Sequence, residues 1–521
     1  MLSLCPLLNT VVMPLSYIER ILRARVYDVA SESPLTLAKG LSRRLGNQVF
    51  LKREDLQPVF SFKLRGAYNK LRHLPVKSLK RGVIAASAGN HAQGVSMGAS
   101  RLGIDAIIVM PRTTPGIKVD AVRDWGANAV LHGDSFDEAF SHAMELSEAR
   151  GLTFLHPFDD PDVIAGQGTI GMEILRQHPE PPDAIFVPVG GGGLIAGVAA
   201  YVKYVRPEVK IIGVEPEEAP TLHAAMAAGE RVILTEVGLF ADGVAVKQIG
   251  KETFRVARDT VDEVMLVSTD EICAAIKDIY DDTRGIAEPA GALSVAGLKR
   301  WVEREGALGQ HLIAIESGAN INFDRLRHVA ERAELGERRE ALFAVGIPER
   351  PGSFLAFCQA LGKRQITEFN YRYADQHNAQ VFVGVQTGGG AAEREELAER
   401  LRSKGFSVLD MSDNETAKLH IRFMVGGRAL GVENEHLIRF EFPERPGALL
   451  NFLDGVGQRW NISLFHYRNH GAAYGRVLMG IQVLTAEQAE FYEMLAKLGY
   501  RYWEETDNPA YQLFAKGERE V

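Results

Sequence analysis

Ala184-Ile185-Phe186-Val187-Pro188-Val189-Gly190-Gly191-Gly192-Gly193-Leu194-Ile195 is the stretch that decides the fold. Ala184 to Val189 is an unbroken apolar run, as a parallel strand covered on both faces must be. Four glycines follow it, and Ile195 to Val205 resumes with helical spacing. Strand, glycine turn and helix together make the βα unit of an α/β protein. The same alternation runs from about residue 80 to 320, with further strands expected at Val83 to Ala86, Ala106 to Met110, Ile211 to Val214 and Ile313 to Ile315. Pro289 to Glu303 reads as a helix opened by proline, whose missing N–H is harmless in a first turn. The sheet region ends near Leu326.

A chain of 521 residues is too long for one core and predicts two or three domains. Its composition, 46% hydrophobic and 24% charged, allows a large core and carries no fibrous or disordered bias. The net charge of -8 argues against a nucleic-acid partner, which would call for a basic face. Cys5, Cys273 and Cys358 are odd in number and far apart, so they form neither a disulfide framework nor a metal-ligand spacing, and they fit a reducing cytoplasm. Residues 1 to 15 lack a basic n-region and a cleavage pattern and read as a short extension. No apolar run reaches membrane-spanning length.

The charged run from 330 to 340 is the best linker candidate; an exposed helix of the first domain is the other reading. Beyond it lies a repeat. Pro348-Glu349-Arg350-Pro351-Gly352 recurs as Pro443-Glu444-Arg445-Pro446-Gly447, and the match continues through Leu355, Phe357 and Gly362 onto Leu450, Phe452 and Gly457. After a one-residue slip, Ile366, Phe369, Tyr371 and Arg372 match Ile462, Phe465, Tyr467 and Arg468. Register kept over a helix and a strand points to duplication of a βαββαβ module.

Three turns lie at strand C-terminal ends, the edge of an open α/β sheet where helix N-termini present free N–H groups to ligands. Gly190 to Leu194 exposes backbone amides without side chains and suits a monophosphate, because both the dinucleotide spacing and the Gly-Lys-Ser/Thr of a P-loop are missing. In Ser87-Ala88-Gly89-Asn90-His91, Ser87 can donate its hydroxyl, Gly89 and the following amides can hold a carboxylate, and Asn90 offers a donor and an acceptor. The bland reading of that turn is an N-cap cluster. Glu316-Ser317-Gly318-Ala319-Asn320 places a serine able to meet a heteroaromatic nitrogen, or makes an ordinary C-terminal turn. Lys63, between Phe62 and Leu64, is an amine whose apolar setting favours its neutral form; many lysines in such positions are merely surface residues.

A lysine, a phosphate cradle, an Asn-bearing loop and a terminal serine are together what pyridoxal 5′-phosphate requires. Ser61 to Ala67, Ser87 to Gly94, the glycine loop, Glu288-Pro289-Ala290-Gly291-Ala292 and Ser317 to Asn320 resemble the serine/threonine dehydratases of the tryptophan-synthase-β class, over roughly residues 20 to 330. Residues 341 to 412 and 436 to 509 resemble the paired ACT-like regulatory modules of the biosynthetic threonine dehydratases. The resemblance implies a fold-type-II catalytic region of two α/β subdomains over 1 to 330, a linker at 331 to 340, and two α+β ACT-like domains. It also implies that Lys63 carries the cofactor as a Schiff base and acts as general base, that Gly190, Gly191, Gly192, Gly193 and Leu194 bind the phosphate, that Asn90 faces the ring 3-oxygen, and that Ser317 faces the ring nitrogen. Ser87, Gly89, Asn90 and His91 would sit beside the substrate carboxylate. No metal is implied.

The activity implied is deamination of L-threonine, and of L-serine as a further substrate, to a 2-oxo acid and ammonia at the head of isoleucine synthesis. Isoleucine would inhibit it, valine would oppose isoleucine, and the assembly would be a cytoplasmic homotetramer. A racemase, a catabolic serine dehydratase or a β-replacement synthase shares the scaffold, and two regulatory modules weigh against each. A catalytically idle amino-acid sensor is the reading from another class, opposed by the intact Lys63 and glycine loop.

Overall fold

The computed structural model describes residues 13–336, 339–348, 353–362, 364, 366–371, 378–388, 390–423, 433–443, 452, 456, 459–468 and 474–514. The chain divides into two compact units, Met1–Phe323 and Asp324–Val521.

The first unit holds two sheets. The larger runs Leu35–Leu37, Gln48–Arg53, His311–Glu316, Ala184–Pro188, Lys210–Pro216 and Glu263–Val267, parallel throughout except for its first strand. The smaller runs Asn128–Leu131, Ala106–Met110, Val83–Ala86 and Thr153–Phe154, all parallel. The central strands are buried end to end, which is why they read as unbroken apolar runs. Val187, Ile195, Val198, Ile211 and Ile313 belong to one core cluster, and Val83, Val95 and Ile108 to another.

Gln48–Arg53 carries two charges that hide it from a hydropathy reading. Lys52 is nonetheless fully buried, because its ammonium meets Glu173 at 2.6 Å. Arg65, also fully buried, bridges Glu54 at 2.8 Å and Glu173 at 2.6 Å. Breaking such a network strands a charge in the core, so it fixes the first turns of helix Lys63–His73.

The second unit contains two four-stranded antiparallel sheets. The first copy is Glu340–Pro348, helix Ser353–Leu361, Ile366–Tyr371, Asn378–Gln386, helix Gly390–Ser403 and Ser407–Asp410, the βαββαβ order read from sequence. The second contributes Glu435–Pro443, Asn461–Arg468, Tyr474–Gln482, helix Gln488–Leu498 and Arg501–Glu504. In both sheets the first strand lies between the third and the fourth. A register shift falls between Ile366 and Glu368 in one copy and between Ile462 and Leu464 in the other, so the duplication extends to an irregularity. Phe357 and Phe452 are both fully buried. The turns at 349–352 and 444–447 lie outside the described residues, as do Arg372, Leu450 and Gly457.

The charged run is not an extended connection as far as it is described. Helix Arg325–Gly336 spans its first part and belongs to the second unit rather than the first. Val329 and Ala333, four residues apart, bury one face, and Arg332 reaches Glu415 at 2.6 Å. Among the described residues no helix is long and apolar enough to cross a membrane.

Candidate active site

Lys63 starts its helix at the floor of a cleft in the first unit, and the loop before it is fixed by the Ser317 turn. Phe62 N–H donates to the Ser317 carbonyl at 3.2 Å, Ala319 N–H donates to the Phe60 carbonyl at 2.9 Å, and Ser61 bridges Gly318. Phe60 takes a φ of 54°, a left-handed conformation unusual for a side chain of that size. The Lys63 ammonium lies 5.1 Å from the Phe62 ring and has no hydrogen-bond or ion-pair partner among the described residues. Burial lowers its pKa to about 8, opposed by the Glu288 carboxylate. Lys52 and Arg65 are neutralised by carboxylates; Lys63 is left able to react.

Strand Ala184–Pro188 delivers the four glycines to the same cleft, and Gly192, with φ 89°, caps helix Gly193–Val205. The carbonyls of this turn face the protein. Thr221 hydroxyl donates to Gly190 O at 3.0 Å, Thr253 hydroxyl to Gly191 O at 2.7 Å, and Gly250 N–H to Gly191 O at 3.3 Å. In a trans peptide the N–H points opposite to the carbonyl, so the amides of Gly191 and Gly192 turn toward the cleft. With the N-terminus of a buried helix behind them they make an anion site.

Asn90 opens helix Asn90–Leu102. Its Oδ1 accepts from Asn320 Nδ2 at 2.7 Å and its Nδ2 donates to Glu288 Oε1 at 2.5 Å, leaving one amide hydrogen for a ligand. Ser317 is buried, and its hydroxyl approaches the Ala290 carbonyl at 3.4 Å. Lys63, Asn90, Gly190 to Leu194 and Ser317 thus line a single cleft together with Phe62, Phe158 and Glu288.

The remaining residues of the Asn90 loop differ among themselves. A Cβ on Gly89 would meet no atom within 4 Å, so this turn opens on free space. Ser87 is half-buried, and its Oγ accepts from Gly89 N–H at 3.3 Å. His91 is buried with Nε2 3.0 Å from the Leu155 carbonyl; burial and the nearby Lys63 push its pKa down to about 3. A neutral ring held by that carbonyl offers a substrate carboxylate no charge. What His91 offers is its first-turn N–H, which has no intrahelical acceptor.

Sequence reasoning gave no role to Glu288 or Asn320. Glu288 is 4% exposed, and burial raises its pKa to about 7, with Asp242 raising it further and Lys118 opposing. The signal was an acid set directly before a helix-opening proline inside an apolar segment.

A lowered, unpaired amine, an amide-lined cradle beside it and a buried hydroxyl fit pyridoxal phosphate. Residues 26–317 match the family model described as pyridoxal-phosphate dependent enzyme. Residues 331–421 and 426–515 each match the C-terminal regulatory domain of threonine dehydratase. The chain is 59% identical over 501 residues, 96% of its length and 99% of the relative's, to the biosynthetic L-threonine dehydratase of Burkholderia multivorans. Among solved structures it is similar to the processed form of threonine deaminase isoform 2 from Solanum lycopersicum, with 51% identity, a TM-score of 0.61, and coverage of 64% of this chain and 96% of that one. Maize serine racemase matches at 32% identity and a TM-score of 0.56 over 60% of this chain and 95% of its own. The chain belongs to the pyridoxal-phosphate-dependent enzymes, in the branch that carries two threonine-dehydratase regulatory domains.

Proposed function

We propose that this protein is a threonine ammonia-lyase, converting L-threonine to 2-oxobutanoate and ammonia at the head of isoleucine synthesis. The observation that carries the reading is the unpaired, depressed Lys63 amine beside the glycine turn, in a chain similar over 96% of its length to biosynthetic threonine dehydratases.

Bound in the cleft, pyridoxal phosphate supplies an electron sink for the charge left at Cα when its proton departs. Gly191 and Gly192 would hold the phosphate through their amides, and Ser317 would meet the ring nitrogen with a neutral hydroxyl. Lys63 would be the residue that holds the cofactor's aldehyde carbon. Its amine, with a pKa lowered to about 8 by burial and so about half neutral at that pH, would take the Cα proton as general base. Asn90 N–H would meet the ring 3-oxygen, and Ser87 with the first-turn amides of Asn90 and His91 would receive the substrate carboxylate. Phe62 and Phe158 restrict water around these groups. Departure of the β-hydroxyl as water would leave an enamine, whose imine tautomer takes up one water to give the 2-oxo acid and ammonia.

The first unit, Met1–Phe323, is the catalytic domain in this reading, and 341–412 and 436–509 are the effector-binding pair. Isoleucine binding there inhibits and valine opposes it, with a coupling of about 1–3 kcal/mol. The active assembly is a cytoplasmic homotetramer. The test measures 2-oxo acid release from L-threonine and L-serine, with and without L-isoleucine, for the full chain and for one ending at Glu334. Threonine turnover by both, with isoleucine acting on the full chain alone, is expected. No 2-oxo acid from threonine sinks the activity, and isoleucine inhibition of the shortened chain moves the effector site into the catalytic domain.

A further inference from the structure

We propose that Glu288 is a positioning residue of this site, orienting the Asn90 amide so that its one uncommitted N–H faces the cofactor. The inference rests on reading the cleft as the pyridoxal phosphate site. Asn90 sits between two fixed groups. Asn320 Nδ2, itself anchored on the Val59 carbonyl at 2.8 Å, donates to Asn90 Oδ1, and Glu288 Oε1 accepts from Asn90 Nδ2. Neither contact tolerates the amide turned over, since that would set Nδ2 against a donor and Oδ1 against a carboxylate. Glu288 is in turn packed beneath Gly318, where a Cβ would lie 2.7 Å from its Oε1.

Glu288 does this well only when ionised, because a charge-assisted hydrogen bond is about twice as strong as a neutral one. The charged groups facing it are Asp242, Lys118 and Lys63, and Lys118 is itself held by Asp242 at 2.8 Å. Asp242 favours the protonated carboxyl and Lys118 the carboxylate. Burial thus places the pH above which Asn90 is firmly held, and the pair tunes it in opposite directions.

The test uses full-length protein freed of cofactor and 4′-deoxypyridoxine 5′-phosphate, which keeps the 3-oxygen and the phosphate but lacks the aldehyde, so Lys63 chemistry does not enter. Affinity is titrated from pH 6 to 8.5. The phosphate's own ionisation is common to all variants. Glu288→Gln is expected to weaken binding roughly 5- to 10-fold at pH 8 and to remove the wild-type decline around neutrality. Lys118→Met should move that decline to higher pH and Asp242→Asn to lower pH. These two rim substitutions carry the test should Glu288→Gln fold poorly, and a general loss of structure would not shift a profile in opposite directions. Wild-type affinity and profile in Glu288→Gln, or the same displacement in both rim variants, overturns the proposal. If the wild-type chain binds neither the analogue nor pyridoxal phosphate, the reading of the cleft falls and the proposal with it; if it binds both, only the Glu288 result decides.

Discussion

Two turns at strand ends both rely on glycine, for opposite reasons. At Gly190, Gly191 and Gly192 the protein itself leaves no room for a side chain. A Cβ would lie 2.8 Å from Val244 Cα at Gly190, 2.2 Å from the Phe158 ring at Gly191, and 2.8 Å from Ile249 Cδ1 at Gly192. Across the cleft from that turn, nothing in the protein comes within 4 Å of where a Cβ on Gly89 would stand. The first turn is pressed against its own fold so that only amides reach the cleft. The second has open space where a side chain would stand, and a ligand is the natural reason for that. Packing can thus distinguish a glycine that serves the scaffold from one that serves the guest.

The sharpest way to separate these roles is to remove the chemistry and leave both turns in place. Lys63→Ala should lower threonine turnover by about 10⁴-fold or more, since one side chain supplies both the cofactor attachment and the base. The same variant should still bind 4′-deoxypyridoxine 5′-phosphate. Survival of the native visible band in the purified variant would show that the cofactor is attached elsewhere.

Next in size, Gly191→Ala forces Phe158 to move, an overpacking that costs about 1–3 kcal/mol and so some ten- to a hundred-fold in cofactor affinity. Thermal stability should fall with it. Gly192→Asp should be worse still, adding a carboxylate where a phosphate dianion sits and a Cβ at a left-handed φ. If titration of either apo-variant with pyridoxal phosphate gives the native affinity, this turn is not the cradle.

Gly89→Ala should behave in the reverse manner. With open space around the new methyl, the unfolding free energy should stay within the roughly ±0.5 kcal/mol typical of surface changes, while KM for threonine rises several-fold. A loss of stability without a change in KM would make Gly89 another scaffold glycine and erase the comparison.

Which parts of this were legible follows from how local each determinant is. Val83–Ala86 and Ala106–Met110 fall where their apolar runs place them, because a two-faced core imposes the pattern on consecutive residues. Gln48–Arg53 was hidden because Lys52 is buried only by virtue of Glu173, 121 positions away. The glycine turn was legible as a cradle, but the Thr221 and Thr253 hydroxyls that hold its carbonyls away from the cleft come from separate helices. The Asn320–Asn90–Glu288 chain likewise spans separations of 230 and 198 residues. His91 carried an ambiguity that only burial resolves, since the same imidazole can be a cation at the surface or a neutral donor under a carbonyl. The repeat was plain from its proline and glycine markers, yet the shared register shift needs the pairing of strands to be seen.

The smallest effect concerns the lysine that the two turns flank. In the apo-protein burial holds Lys63 at about 8, against about 10.4 for a solvated lysine. The direction is that of a cation deprived of water, so the neutral, nucleophilic amine is already present near neutrality. At pH 7.5 about one molecule in four has it, compared with about one in a thousand for an ordinary lysine. Capture of pyridoxal phosphate, followed as growth of its visible absorption after mixing, should therefore rise with pH and reach half its maximum near pH 8. Ionisation of the cofactor phosphate is complete below that point and does not imitate the rise. Loosening the glycine turn with Gly191→Ala should lower the amplitude through weaker binding while leaving the midpoint in place, because Phe158 moves and the Phe62 shelf under Lys63 does not. A midpoint above pH 10 in the native chain would mean that the amine is solvated, and the contrast between a packed cradle and an open turn would then surround a lysine of no special reactivity.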